Sequence, residues 1–303
     1  MGAPSGLEEI RPFLYRLFSD RDLINFGVPS FFQKPLAFLI SLFRTPKVSP
    51  QYRAIGGGSP LVAYSLEQAG LLEKRLGLKV FVGMLYSEPL LSRTVKELKA
   101  YNPDIVYHLT LYPHYSRATV GACVRDVERH IGQEFKIFHV KSWADNSRYV
   151  EWIRKSLKSE LNSANPEETV VLFSAHSLPK YFIEKFQDPY VNEVKRTVGL
   201  VMESFPRFRS RISYQSKVGP IEWLRPSTEE ELKKIAEEGF KRVVVFPVSF
   251  VSEHIETLYE LDVEYRELAE GLGLEFRRVP LNHRDPLLIE AMAMEVEGLR
   301  RNL

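Results

Sequence analysis

Two successive α/β domains, each organised round a parallel sheet flanked by helices, are predicted by three observations. Strand-like and helix-like stretches alternate almost from end to end, as they do in chains of βαβ units. Several strand candidates are short continuous apolar runs, such as Val170-Val171-Leu172-Phe173 and Val243-Val244-Val245-Phe246; a strand buried on both faces has no polar side to alternate with. Near the middle, a long helical stretch at 148–160 and the polar loop from Asn162 to Glu168 divide the alternation. The 303 residues have room for two medium domains, predicted at 1–148 and 149–303.

The first helix is predicted to open at Pro4-Ser5-Gly6-Leu7-Glu8, where Ser5 and Glu8 have capping-box spacing. From Leu23 to Phe43 the chain is rich in Phe and interrupted by Pro29 and Pro35. It therefore reads as neither a regular strand nor one long helix. This stretch is either core helix between loops or an exposed apolar lip, which ends in the cations Arg44 and Lys47. Tyr52 to Pro60 holds Gly56-Gly57-Gly58, suited to close backbone approach but lacking the spacing of a P-loop or dinucleotide fingerprint. Ser65 with Gln68 repeats the capping device for a helix ended by Gly77, and Ser227 with Glu230 does so for one closing at Gly239. Strands are predicted at 79–85, 104–110, 135–140, 169–174, 210–215, 242–251 and 274–279. A last helix, 285–303, has no strand after it and is expected to pack back on the first domain.

Composition excludes several classes of function. With 44% hydrophobic and 26% charged residues the chain is an ordinary globular one. A net charge of +2 argues against nucleic acid as a bulk electrostatic partner. One cysteine, Cys123, permits neither an internal disulfide nor a four-thiolate iron–sulfur cluster. No secretory leader is visible, and the longest strongly apolar stretch, Leu36 to Phe43, is far below the roughly 20 residues that span a bilayer. A cytoplasmic protein is expected, with membrane contact limited to a peripheral touch of the lip on the inner membrane face.

Chemistry is expected at two histidines, each just past a buried apolar run: His176 in Phe173-Ser-Ala-His-Ser-Leu-Pro179, and His254 in Phe250-Val-Ser-Glu-His-Ile-Glu256. Open α/β sheets bind ligands outside the carboxyl ends of their strands. Following His254, the carboxylates Glu256, Glu260 and Glu264 recur every fourth residue along a helical pattern with no lysine among them. That row is either a solvated acidic face or a path for protons or a divalent cation.

Phe173-Ser-Ala-His176-Ser-Leu-Pro179 resembles the signature of the ferrochelatases, which insert ferrous iron into a porphyrin to make haem. Tyr214-Gln-Ser-Lys-Val-Gly-Pro220 with Trp223, His254-Ile-Glu-Thr-Leu-Tyr-Glu-Leu-Asp262, Arg44-Thr-Pro-Lys47 and Tyr52 through Pro60 are similar to further family motifs, in the family's order. The resemblance implies two Rossmann-like (chelatase-like) domains with a porphyrin cleft between them. It implies His176 and Glu256 as the catalytic and metal-contacting pair, supported by His254, with Glu260 and Glu264 as a proton or metal path. Arg44, Lys47, Tyr52, Ser59 and Ser216 match positions that hold porphyrin carboxylates. Met1, Leu14, Leu17, Tyr86, Trp223 and Phe250 match positions that line the macrocycle. The protoporphyrin-using branch is favoured over the coproporphyrin branch by the forms Gly-Gly-Gly-Ser-Pro and Glu-Thr-Leu-Tyr-Glu-Leu-Asp. A chelatase for another metal or tetrapyrrole, and a porphyrin carrier without turnover, are the competing expectations. No cofactor beyond ferrous iron as substrate is implied.

Three departures from the family pattern stand out. The family's strand before Met-Gly-Ala-Pro has no counterpart ahead of Met1, and Gln187 stands where Gly often precedes Asp188-Pro189-Tyr190. The cysteine-bearing tail of some members has no counterpart after Leu303.

Overall fold

The computed structural model describes residues 1–301 except Asp22, Asn25, Val218 and Pro220. It is an α/β structure with two parallel sheets. The larger sheet holds β3 (Thr169–His176), β4 (Arg209–Gln215), β5 (Arg242–Pro247) and β6 (Glu275–Arg278) in the order β4-β3-β5-β6. Its apolar runs are continuous because alternate residues serve opposite layers. Val171, Phe173, Ala175, Val244 and Phe246 face a core shared with α6 (Ser147–Leu161) and α8 (Tyr190–Met202). Val170, Leu172, Val243 and Val245 face α9 (Thr228–Glu237), α10 (Arg266–Gly271) and a π-helix at Glu256–Tyr265. All nine of these strand residues are fully buried, and at about 25 cal/mol per Å² such burial is the main force holding the sheet between its helices.

The smaller sheet consists of β1 (Ile105–Leu109) and β2 (Lys136–Val140), with α4 (Leu91–Tyr101) and α5 (Val120–Ile131) packed through Val95, Leu98, Val127 and Ile131. The strand expected at 79–85 does not form; Met84 makes a single bridge to Leu90. The segment's backbone groups are taken locally: Val80 N–H by Glu73, Val82 C=O by Thr94, and both groups of Met84 by Pro89 and Leu91. These local partners take groups that a strand ladder would need.

Two further expectations are corrected. The proline-interrupted stretch becomes one continuous 25-residue helix, α2 (Ser30–Ala54), which runs through Pro35, Pro46 and Pro50. All three prolines are exposed, as are Phe31, Leu42 and Pro46, whose carbonyls lose a helical partner to them, so the loss falls on the solvent side of the helix. The opposite face, Gln33, Ala37 and Ser41, is buried and packs on α1 (Ile10–Ser19). The capping boxes at Ser5 and Ser65 are also absent. A short 3-10 turn at Leu7–Glu9 precedes α1 without a side-chain cap, and α3 (Leu61–Leu76) starts before Ser65, whose hydroxyl donates to Leu61 C=O. The third box, Ser227 with Glu230, is formed.

The remaining helices are α7 (Lys180–Phe186) and α11 (Pro286–Arg301), the latter against α3, α6, β1 and β2. Strand β5 stops at Pro247, four residues short of its expected end, because a turn from Pro247 to Phe250 lifts the chain off the sheet.

Candidate active site

All four strands of the larger sheet end at one edge, which carries His176 (β3), Gln215 (β4), Pro247 (β5) and Arg278 (β6). The turn after β5 brings Phe250 and His254 to this edge, and the π-helix then lays Glu256 against β3. His176 Nδ1 donates to Glu256 Oε2 at 2.9 Å. His254 Nε2 lies 3.7 Å from the same oxygen, while its Nδ1 donates to Ser252 C=O at 3.2 Å and its ring packs 4.3 Å from Phe250. With Nδ1 engaged, His176 Nε2 is the nitrogen left facing a ligand; about a third of this side chain is exposed.

The main chain of His176 is pinned on both sides. Its N–H donates to Ser249 Oγ at 3.2 Å, its C=O accepts from Tyr190 Oη at 2.8 Å, and Tyr190 and Ser249 share a 2.6 Å hydrogen bond. Glu260, one turn beyond Glu256, accepts from Ser216 N–H (2.7 Å), Ser216 Oγ (2.5 Å) and Tyr265 Oη (3.2 Å). Ser216 reaches it from a left-handed backbone, φ 67°, a strained conformation for a residue with a Cβ.

Electrostatics grade the carboxylates. Burial disfavours charge on both members of the His176–Glu256 pair, yet their mutual attraction overrides it. His176 is raised above its ordinary value, and Glu256 is held well below the usual carboxylate range with His254 helping. Glu260 is pushed up to about 7 by burial and by the Glu256 charge, against the hydrogen bonds from Ser216. Glu264 is exposed and raised only by partial burial and Glu267. The arrangement can hold a proton at the histidine and accept one near neutrality at Glu260, while Glu264 faces solvent. Among the described residues no three His, Cys, Asp or Glu side chains converge as a ready metal site.

The other residues expected from the sequence lie at several distances from this pair. Leu14 and Tyr52 are buried in a cluster with Ile10, Phe18 and Ala37 that extends to Ile255, beside Glu256; Leu17 is half-buried. Tyr52 is raised by burial and by the Glu256 charge. Ser59 is buried at a backbone crossing, its N–H on Pro4 C=O, its hydroxyl capping Leu61 N–H. A side chain at neighbouring Gly58 would lie 2.0 Å from Ser5 C=O, so only glycine fits. Tyr86 bonds to Asp20 (2.6 Å) and, through its N–H, to Met1 C=O. Trp223 bridges Pro179 just beyond β3. Arg44 and Lys47 line a groove of about 390 Å³ on α2 with Leu36, Leu39, Ile40 and Phe43, and do not contact the histidines. Residues 218 and 220 of the Tyr214–Pro220 motif lie outside the described residues.

Two tyrosines are given no role by the sequence. Tyr190 pins His176, and Tyr112, three residues past β1, lies 3.2 Å from Met1 N and feels the Glu256 charge. The rule that finds ligands past strand ends, applied to β1, points to Tyr112; Tyr190 carries no such signal.

A family model described as ferrochelatase matches residues 1–298. The chain is 40% identical over 309 residues to a ferrochelatase of Gloeothece citriformis, covering 98% of this chain and 80% of that one. It is 41% identical over 300 residues to a ferrochelatase of Geotalea uraniireducens, covering 97% and 93%. Among solved structures it is similar to SirB from Bacillus subtilis with Fe3+ (TM-score 0.55, 14% identity, 78% of this chain, 90% of that one). It is also similar to CbiX, a terminal enzyme of sirohaem biosynthesis in denitrifying bacteria (TM-score 0.53, 11% identity, 79% and 93%). These last two likenesses concern the fold alone.

Proposed function

This chain belongs to the ferrochelatase family, lyases of haem synthesis that insert ferrous iron into protoporphyrin, and on that premise we propose that His176 and Glu256 carry out the exchange of protons for iron. The observation that supports this reading is the 2.9 Å contact between them at the carboxyl edge of the larger sheet, with Nε2 of His176 open to a ligand. Iron insertion replaces two pyrrole protons by one dication, so two protons leave per turnover. His176 is biased towards its charged form, and must release its own proton before Nε2 can take one from a pyrrole or meet iron. Glu260, titrating near 7, is matched to receive that proton at neutral pH. Glu264 passes it to solvent, and the same acidic row offers hard oxygen ligands to arriving ferrous iron. His254 holds Glu256 from the other side.

Met1, Leu14, Leu17, Tyr86, Trp223 and Phe250 are assigned to the walls of the macrocycle site, between domains spanning 1–148 and 149–303. Arg44, Lys47, Tyr52, Ser59 and Ser216 are assigned to the propionates. Ferrous iron enters as substrate, and no further cofactor takes part. Phe31, Phe32, Phe38, Leu39, Leu42 and Phe43 are exposed along α2, which supports reversible contact of this lip with the inner membrane face. No described helix is long and apolar enough to cross a membrane.

Anaerobic ferrous iron and protoporphyrin test the reading directly. Many turnovers of metal-free porphyrin are expected from the wild type. His176→Ala is expected to lose roughly two to four orders of magnitude in kcat while porphyrin affinity, read by fluorescence quenching, changes little. Near-normal turnover in a folded variant removes His176 from the mechanism, and stoichiometric binding without turnover makes the protein a porphyrin carrier.

A further inference from the structure

The carboxylate row sits on ten residues of π-helix, Glu256–Tyr265. Such winding is rare beyond a single turn and clusters at functional sites, so an extended run needs restraint from outside. In α winding, four residues advance about 40° past a full turn, which would rotate Glu260 round the axis relative to Glu256. The geometry of the row therefore depends on whatever keeps the segment from tightening.

Arg278, the last residue of β6, is the strongest such restraint. Its guanidinium is almost wholly buried. It grips Asp262 with two parallel bonds, Nε to Oδ1 at 2.7 Å and Nη2 to Oδ2 at 2.5 Å. Its Nη1 donates to Glu253 Oε1 at 2.6 Å. Glu253 precedes His254 and also accepts from Leu281 N–H (2.7 Å) and Thr257 Oγ1 (2.5 Å). One planar cation thus ties the strand edge to the turn before His254 and to the middle of the π-helix, with Glu256 and Glu260 between its two attachment points. Neither Arg278, Glu253 nor Asp262 contacts His176. Only a guanidinium supplies this many donors in a fixed fork, so lysine is no substitute.

We propose that Arg278 is a positioning residue that holds the carboxylate row in π winding, through Asp262 and Glu253, and so sets the placement of Glu256 and Glu260 for iron delivery. This rests on the proposed function of that row. The test uses the full chain with Arg278→Met, Arg278→Lys, Asp262→Asn and Glu253→Gln. It reads amide hydrogen exchange of residues 256–265, kcat and KM for ferrous iron at saturating porphyrin, and porphyrin Kd. Exchange reads the winding without reference to turnover, so a wrong assignment of the row's function is distinguishable from a wrong assignment of Arg278. In Arg278→Met, exchange over 256–265 is expected to accelerate and kcat/KM for iron to fall by about 10- to 100-fold, the usual cost of losing a residue that orients a metal-contacting group. Porphyrin Kd should stay within about twofold. Asp262→Asn should reproduce most of the effect, Arg278→Lys should recover little of it, and Arg278→Met/Asp262→Asn should be no worse than Arg278→Met alone. If Arg278→Met does not fold, Asp262→Asn and Glu253→Gln carry the test. Folded variants with wild-type exchange over 256–265, or with faster exchange and unchanged iron kinetics, overturn the proposal.

Discussion

Glu260→Gln isolates the carboxylate that titrates nearest neutrality. In the folded protein Glu260 loses its proton at about 7, against an ordinary value of 4.5. Below 4.5 both folded and unfolded chains hold the proton and there is no penalty. Between 4.5 and 7 the unfolded chain releases it while the folded chain keeps it, so stability falls as pH rises. Above 7 the deficit is complete. At 1.36 kcal/mol per pH unit, the gap from 4.5 to about 7 corresponds to about 3 kcal/mol. Glutamine carries no charge at any pH and its oxygen can still accept from Ser216 N–H, so the variant escapes that deficit. Urea denaturation of both proteins at pH 5, 6, 7 and 8 should show the variant gaining stability relative to wild type as pH rises, by up to about 3 kcal/mol, then levelling off above pH 7. Titrating groups that do not feel Glu260 are common to both chains and cancel in the difference; His176, which the Glu260 charge helps to raise, is followed separately by NMR. A stability difference that stays flat across this range would mean that Glu260 is ionised throughout, and the proton path proposed through it would lose its acceptor. Turnover should move oppositely, since the same substitution removes the acceptor for the proton leaving His176.

Glu256→Gln removes the partner that raises His176, so burial is left to lower it; the imidazole resonance followed by NMR should titrate at lower pH, and the rate should fall without loss of fold. An unchanged histidine titration would deny the pair its coupling. Because His176 is raised in the folded state, its stabilising contribution is present below its ordinary value of 6.5 and lost as pH rises through the folded one; the variant should lack that decline. Replacing Arg44 and Lys47 together with Ala should raise KM for a free-acid porphyrin strongly, since even about 1.5 kcal/mol per charged hydrogen bond is worth roughly tenfold. A porphyrin with esterified propionates should be nearly indifferent to the same change, and equal sensitivity of both would place the cations in folding rather than in substrate binding.

What could be read in the residues depended on whether the deciding contact was local. Val170–Phe173 and Val243–Phe246 announce buried strands because each run supplies both layers of core by itself. Val80-Phe81-Val82 carries a similar apolar signal, yet Glu73, Pro89 and Thr94 claim the backbone round it before a strand can pair. The prolines of α2 mislead for a related reason: their cost depends on exposure of the carbonyls they orphan, which pattern alone does not report. The site divides the same way. His176 and Glu256 are each visible as residues past a buried strand, but their separation of 80 positions hides that they touch. Placement of the acidic row is less legible still. Its every-fourth spacing is local, but its winding depends on Arg278, at the end of a strand that begins ten residues beyond the helix, and its proton affinity on Ser216 and on burial. The spacing of Glu256, Glu260 and Glu264 alone is therefore compatible with an ordinary solvated face. The contacts of His176 and His254 with Glu256, and of Ser216 and Tyr265 with Glu260, make two of these three carboxylates part of a built site and leave Glu264 facing solvent. A chain with the same three glutamates but without the buried guanidinium of Arg278 should hold the segment less firmly and should lose the fixed placement of Glu256 and Glu260 that the proposed exchange requires.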